Sequence, residues 1–490
     1  MRIFFLSCSL VITHLAFAGI RLGSGLQDGM VVQQNKPMTV WGWSDPGASV
    51  AILPDWAAGA TTVVADASGY FSGIVAVPAV RAGDYGAHAL TVSSGASQIR
   101  LSDILIGEVW LCSGQSNMQF ALREALDSTA EVAAARHPHI RLLDVALNFS
   151  AAPIDSFRGK WTECTPKTAA RFSAVGYFFG RRLQQALDLP VGLVFSGIGA
   201  SAAQAYVPQD VLAGDTMLDR LYLEPYLNSS RSKEIVNGGF SFEKVTRPYL
   251  LYNAIIYPLR RMSIRGICWY QGEANRLERH PYTHLTQTMI ASWRRLFGQG
   301  ELPFYYVEVA PFFWDNKDST LADYAFFREA QRRISELGNT AMVSTVDVGE
   351  AKNLHPHNKK PIGIRLAQTA LNRTYGRLDT PCCGPRYQHL EIKGRKVTVF
   401  FEPGTADGLH TDGGSEPRDF VVAGADQRWY PARASIEGDR IVIWSDEVKK
   451  PVAIRYAFTN AAVTDLRNAA GWPVPLFRTD AWPEPPIKTK

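Results

Sequence analysis

Ser116 sits in Cys112-Ser113-Gly114-Gln115-Ser116-Asn117-Met118, directly after the apolar run 104–112. Where a buried strand gives way to a helix, a serine hydroxyl and its amide both face the crevice beyond the strand end. Such a hydroxyl can attack an acyl carbon while its amide stabilises the oxyanion. A second reading fits as well: Ser113 or Ser116 is a helix N-cap, which needs only one hydroxyl accepting an amide proton. The segment lacks the second glycine of Gly-x-Ser-x-Gly, which argues against the nucleophile elbow of the α/β-hydrolases.

Three further segments follow apolar runs in the same way. Phe195-Ser196-Gly197-Ile198-Gly199-Ala200-Ser201 offers the Gly199 amide to an oxyanion, or else is a tight turn. Trp269-Tyr270-Gln271-Gly272-Glu273-Ala274-Asn275 offers the Gln271 side-chain amide as an oxyanion donor. Glu273 in this segment can orient neighbours or bind sugar hydroxyls, and Asn117, beside Ser116 in the first segment, is a second substrate-binding candidate; a turn with solvated polar groups explains Glu273 equally. The fourth segment runs from Asp347 to Lys360 and contains Glu350, Asn353, His355 and His357. Acyl transfer needs an imidazole within about 2.6–3.2 Å of the serine hydroxyl and a third group on its other nitrogen. A metal site from His355, His357, Asp347 and Glu350 is the competing reading, but no ligands outside this one loop support it.

The elements that must position these groups are legible in the hydrophobic pattern. From 102 onward, strands at 104–112, 191–196, 266–270, 304–309 and 342–346 alternate with helices at 118–136, 175–186, 282–297, 324–337 and 362–375. Alternation of that kind predicts a parallel sheet covered on both faces. Residues 19–101 and 386–490 read instead as short alternating strands, a β-sandwich-like region at each end. The Pro-rich end (Pro483, Pro485, Pro486) reads as an extended strap or a disordered tail.

Composition narrows the function further. A net charge of +5 from 51 basic and 46 acidic residues, without a basic run, argues against a nucleic-acid partner. Arg2, the apolar stretch that follows and Ala16-Phe17-Ala18 predict a signal peptide over 1–18, hence an exported, periplasmic or secreted protein with no membrane span. Beyond it five cysteines remain, an odd number without metal-type spacing, so no disulfide framework is implied. The 12 Trp, 18 Tyr and 24 Phe would suit stacking on sugar faces, although most such rings in any protein are core.

Taken together, the order and strand-end placement of the four segments resemble the SGNH hydrolase superfamily, specifically its sialate O-acetylesterase-like members. Gly114-Gln115-Ser116-Asn117-Met118 resembles the nucleophile block. Tyr270-Gln271-Gly272-Glu273-Ala274-Asn275 resembles the third block, with Gln in place of the usual Asn. His355-Pro356, followed by Asn358-Lys359 and Gly363-Ile364-Arg365-Leu366-Ala367, resembles the histidine block. Asp28-Gly29-Met30-Val31-Val32-Gln33-Gln34 before Trp41-Gly42-Trp43 resembles the N-terminal β segment, so the resemblance covers nearly all of 19–490.

The resemblance implies an α/β fold with an SGNH-type (flavodoxin-like) parallel sheet at 102–385, flanked by the two β regions. It implies hydrolysis of O-acetyl esters on an oligo- or polysaccharide through an acetyl-enzyme, without metal or organic cofactor. Ser116 would be the nucleophile, His355 the base, and the amides of Ser116 and Gly199 with the Gln271 side chain the oxyanion hole. The sequence departs from the family where an acidic residue usually precedes the histidine: it reads Asn353-Leu354-His355-Pro356. Asp347, Glu350, Asn353 or a backbone carbonyl is left to orient the imidazole. The glycine loop also departs, reading Gly199-Ala200-Ser201 where two glycines are more usual, which leaves Gly199 as the better donor. A plant cell-wall polysaccharide such as xyloglucan or xylan is the expected substrate, O-acetylated sialic acid the alternative, and a non-catalytic carbohydrate-binding protein the rival from another class.

Overall fold

The computed structural model describes residues 19–236, 239–314 and 320–486; the leader expected at 1–18 lies outside them. The central sheet contains, in chain order, β1 (Ser97–Gly114), β2 (His137–Asp144), β3 (Trp161–Cys164), β4 (Val191–Gly197), β5 (Gly266–Tyr270), β6 (Phe304–Val307) and β7 (Thr340–Val343). In space they run β3-β2-β4-β1-β5-β6-β7. Every neighbouring pair is parallel except β3, which lies antiparallel on β2. The chain lays β2 and β4 on one side of β1 and β5 to β7 on the other. The topological switch, where open α/β sheets bind ligands, therefore falls at the carboxyl end of β1.

The sheet is apolar on both faces because both faces are covered. Residues 104–114 of β1 are buried without interruption. One face packs on α3 (Ala174–Leu187) and α6 (Lys360–Arg373), through Val175, Phe178, Leu183, Ile362 and Leu366. The other packs on α4 (His280–Phe297) and α5 (Asp323–Arg333), through Leu285, Met289, Trp293 and Phe327.

The helix expected at 118–136 is broken into α1 (Ser116–Gln119), a 3-10 turn at Leu122–Glu124 and α2 (Ser128–Ala133). Tertiary pairing overrides helix propensity here: Ala121 forms a β-bridge with Ser173 and the Leu122 amide donates to the Phe172 carbonyl. Strands β2 and β3 went unforeseen; β3 is the edge strand and β2 its neighbour, and each is partly exposed, so neither reads as a continuous apolar run. The strand expected at 342–346 begins and ends earlier, as β7.

The N-terminal β region is joined to the sheet through a shared strand. β1 crosses the boundary expected at 101/102: its first half pairs antiparallel with His88–Ser94, and Val31–Gln33 runs parallel to Leu105–Gly107. Beneath this junction the buried Glu108 receives hydrogen bonds from Gln33, Gln34, Arg265 and Tyr375, at 2.7–3.2 Å. The C-terminal region forms two four-stranded antiparallel sheets. It docks on α5, where Phe326 meets Phe458 edge-on and Glu329 pairs with Arg478. The Pro-rich end is a strap, held by Arg279 through Glu484 and the Pro485 carbonyl.

Gly114 closes β1 with φ +138°, and a Cβ there would lie 2.2 Å from the Tyr270 carbonyl oxygen. Backbone cannot yield to that contact without spreading β1 from β5. Gly114→Ala is expected to lower the melting temperature and to displace Ser116, measured by thermal unfolding alongside ester turnover.

Candidate active site

Three of the four sequence segments meet as neighbours because their strands are neighbours in register. Gly114 pairs with Gly197 on β4 and with Tyr270 on β5. The join continues past the strand ends. The Gln115 amide donates to the Tyr270 carbonyl and the Ile198 amide to the Gly114 carbonyl. Gln115 Oε1 accepts from the amides of Gly272 and Ala274. The fourth segment arrives from beyond β7, as the loop before α6.

That loop brings His355 Nε2 to 2.7 Å from Ser116 Oγ, across 239 residues of chain. Neither serine caps a helix: the N-cap of α1 is Gln115, without a side-chain bond, and the Ser113 hydroxyl donates to the Ser196 carbonyl. The Ser116 amide has no protein acceptor among the described residues. Ser116 and His355 open on a cleft of about 400 Å³, walled by Gln119, Phe120, Ala121, Arg123, Glu124 and Arg171. Burial, and then the positive charge of Lys359, hold the His355 imidazole below its ordinary value, while the Glu124 carboxylate pulls the other way.

The remaining expected site residues are placed differently. Asp347 is engaged bidentately by Arg365, at 2.8 and 2.6 Å, and is buried with it away from the imidazole. Glu350 accepts from the His357 amide at 2.6 Å and faces the His357 ring at 3.0 Å, so it serves that histidine. Asn353 Oδ1 accepts from the His355 backbone amide at 3.0 Å; it fixes the main chain and leaves the ring alone. Among the described residues nothing bonds to His355 Nδ1. With Asp347 on Arg365 and Glu350 on His357, the four loop residues weighed as a metal site do not converge.

Both further oxyanion candidates are committed elsewhere. The Gly199 amide donates to Gln119 Oε1 at 2.8 Å. Gln271 is fully buried, its amide group spent on Asn275 Oδ1 and the Ser201 carbonyl. Asn117 and Glu273, expected on the substrate wall, lie beneath it: both are buried, and Asn117 Nδ2 donates to Glu273 Oε1 at 2.5 Å. Gln119, Glu124 and Arg171 were missed, and Lys359, quoted within the histidine block, was given no role. Gln119 carried a signal, standing one helical turn from Ser116 and hence on its face. Glu124 and Arg171 depend on long-range packing.

A domain model described as "Carbohydrate esterase, sialic acid-specific acetylesterase" matches residues 234–372, which include the Gln271 and His355 segments. The sialate O-acetylesterase of Mus musculus is 26% identical over 428 residues, 78% of each chain. That of Homo sapiens is 25% identical over 421 residues, 77% of this chain and 75% of the relative. A crystal structure of a carbohydrate acetylesterase from Xanthomonas citri superposes with a TM-score of 0.82 at 34% identity, covering 94% of this chain and all of that one.

Because its charged form is disfavoured, His355 is expected to bind a proton only at pH below the ordinary imidazole value of 6.5. An NMR titration of the ring checks this, and a midpoint at or above that value contradicts the placement.

Proposed function

The chain belongs to the sialate O-acetylesterase-like carbohydrate esterases of the SGNH superfamily, and from that premise we propose that it releases acetate from sugar O-acetyl esters by a Ser116–His355 acyl-enzyme route. It is a carboxylic ester hydrolase, so the non-catalytic carbohydrate-binding reading gives way. The observation that carries the mechanism is the 2.7 Å hydrogen bond between His355 Nε2 and Ser116 Oγ at the floor of an open cleft.

Ser116 Oγ attacks the acetyl carbonyl as Nε2 of His355 takes its proton. The imidazolium then returns that proton to the departing sugar hydroxyl, leaving the serine acetylated. A water, deprotonated by the same nitrogen, hydrolyses the acetyl-serine and frees acetate. A lowered imidazole pKa keeps the base neutral, and so able to act, into mildly acidic pH.

The oxyanion is held by the Ser116 amide and by the Nε2 group of Gln119. The Gly199 amide can bond only to the oxygen of that side chain, which fixes the amide's orientation and leaves its two hydrogens without a protein acceptor among the described residues. Gln119 thus takes the part expected of Gln271.

For the substrate, the sialate alternative has better support than the plant polysaccharide. The curated relatives, matched over about three quarters of their length, are sialate O-acetylesterases, and the domain match is described as sialic acid-specific. The cleft wall adds Arg171, which has no hydrogen-bond or ion-pair partner among the described residues and suits a carboxylated sugar. Among the described residues the cleft is lined by a single aromatic besides His355, Phe120, so the many aromatics that would suit an extended glycan lie elsewhere. Export through the leader at 1–18 belongs to the same reading, and no helix among the described residues is long and apolar enough to cross a membrane.

Ser116→Ala and His355→Ala are each expected to lower kcat/KM on a chromogenic acetyl ester by at least about 10⁴-fold with folding intact. Acetate release from O-acetylated sialic acid, xylan and xyloglucan should rank the sialate first. Gln119→Ala should cost about 10²-fold in kcat with little change in KM; undiminished turnover would return the oxyanion to Gly199.

A further inference from the structure

Two ionisable groups are buried directly beneath Ser116 and His355 and take no part in bond making. Lys359 is completely buried, with its ammonium at 2.5 Å from Asn117 Oδ1 and 4.7 Å from the centre of the Phe120 ring. Glu273 is buried on the other side of Asn117, one carboxylate oxygen accepting from Asn117 Nδ2 and the other without a partner. A lysine and a glutamate taken out of water this completely cost several kcal/mol each unless paired. The fold nevertheless inserts a neutral amide between them.

Asn117 makes a third bond. Its Nδ2 also donates, at 3.1 Å, to the carbonyl of Leu354, the residue before His355. The side chain next to the serine in sequence therefore holds the main chain next to the histidine. It can do so only in one rotamer, which Lys359 on the oxygen and Glu273 on the nitrogen fix from opposite sides.

We propose that Lys359, Asn117 and Glu273 are positioning residues: joined as one buried hydrogen-bonded chain, they hold the backbone at Leu354 and so keep the His355 ring on the Ser116 hydroxyl, a task that falls to the carboxylate in a Ser-His-Asp triad. The inference rests on the Ser116–His355 reading, and supplies what the Asn353-Leu354-His355-Pro356 sequence and the empty Nδ1 position leave wanting. A deeply buried lysine at a reacting centre is what such a role requires, because its position is fixed by packing on every side.

The arrangement also acts through charge. Lys359 faces Asn117, the Phe120 and Tyr270 rings and the carboxylates of Glu273 and Glu350, and burial brings its ammonium down to about 7. Burial raises the Glu273 carboxyl, which faces Asn117, Lys359 and the hydroxyls of Tyr270, Tyr282 and Tyr324. His355 faces Lys359 and Glu124, with Arg123 and Arg171 across the cleft and the Glu350–His357 pair beyond. Below neutral pH, where His355 takes up its proton, Lys359 is cationic and opposes that uptake. Removing it raises the imidazole pKa and moves the acid limb of kcat/KM to higher pH.

The test compares Lys359→Met and the double variant Lys359→Met/Glu273→Gln with wild type and Ser116→Ala, on a chromogenic acetyl ester across pH 4–9. The expected result is kcat lowered by about 100-fold at near-constant KM, with the acid limb shifted upward in the single variant. Removing both charges leaves no uncompensated ion, so the double variant keeps the measurement open if the single one does not fold. Folded variants with wild-type kcat and an unmoved limb overturn the proposal, and failure of both to fold assigns the trio to stability and overturns it too. A fully active Ser116→Ala overturns the serine mechanism itself, a result distinguishable from either.

Discussion

Ser116 has a fixed address because the carboxyl end of β1 is clamped between β4 and β5. Gly114 is in register with Gly197 on one side and Tyr270 on the other, and the contacts are too close for any side chain at these glycines. The clamp continues as the Gln115 side chain reaches the amides of Gly272 and Ala274. Three loops are thus one rigid floor, and only the histidine loop must be brought to it from elsewhere. A hydroxyl and an imidazole can be kept in near-attack geometry only if both are over-determined in this way.

The two sides of that geometry are held by different physics. The serine side is held by backbone pairing in a sheet buried on both faces. The histidine side is held by side chains: Asn353 on the His355 amide, Asn117 on the Leu354 carbonyl, Arg365 on Asp347 and Glu350 on His357. Charged partners around the loop therefore contribute order there instead of contacting Ser116 Oγ or the His355 ring. The carboxylates that a sequence reading would assign to the imidazole are consumed in shaping the loop that carries it.

The β regions at the two ends serve the centre without lining it. Among the described residues, those that line the cleft fall within 116–171 or at 355. The N-terminal region extends β1 and supplies Gln33 and Gln34 to the buried Glu108, which Arg265 and Tyr375 approach from the catalytic part; together they anchor the second half of the strand that leads to Ser116. The C-terminal sheets rest on α5, whose Gln331 in turn bonds the Gln271 carbonyl beneath the floor. Gln271 is part of that foundation, since Tyr282 and Gln331 approach it from two helices.

The sequence by itself determined the parallel sheet and four of its helices to within a few residues, and it singled out Ser116 and His355 as the candidate nucleophile and base. Apolar runs of buried strands and the glycines at their ends are local signals, and the chemistry of a nucleophile and a base is written in residue type. The tertiary structure alone decided which polar groups reach the reacting atoms and which hold up the floor. Gln271, Glu273 and Asn117 look identical in sequence to exposed ligand-binding groups, yet a few ångströms of depth turn them into supports. Lys359 reads in sequence as one more residue of the histidine segment and Gln119 as one more residue of the turn after Ser116; their depth and partners come from packing against Asn117 and Gly199. Depth and rotamer are set by contacts between distant segments, and no spacing along the chain encodes them.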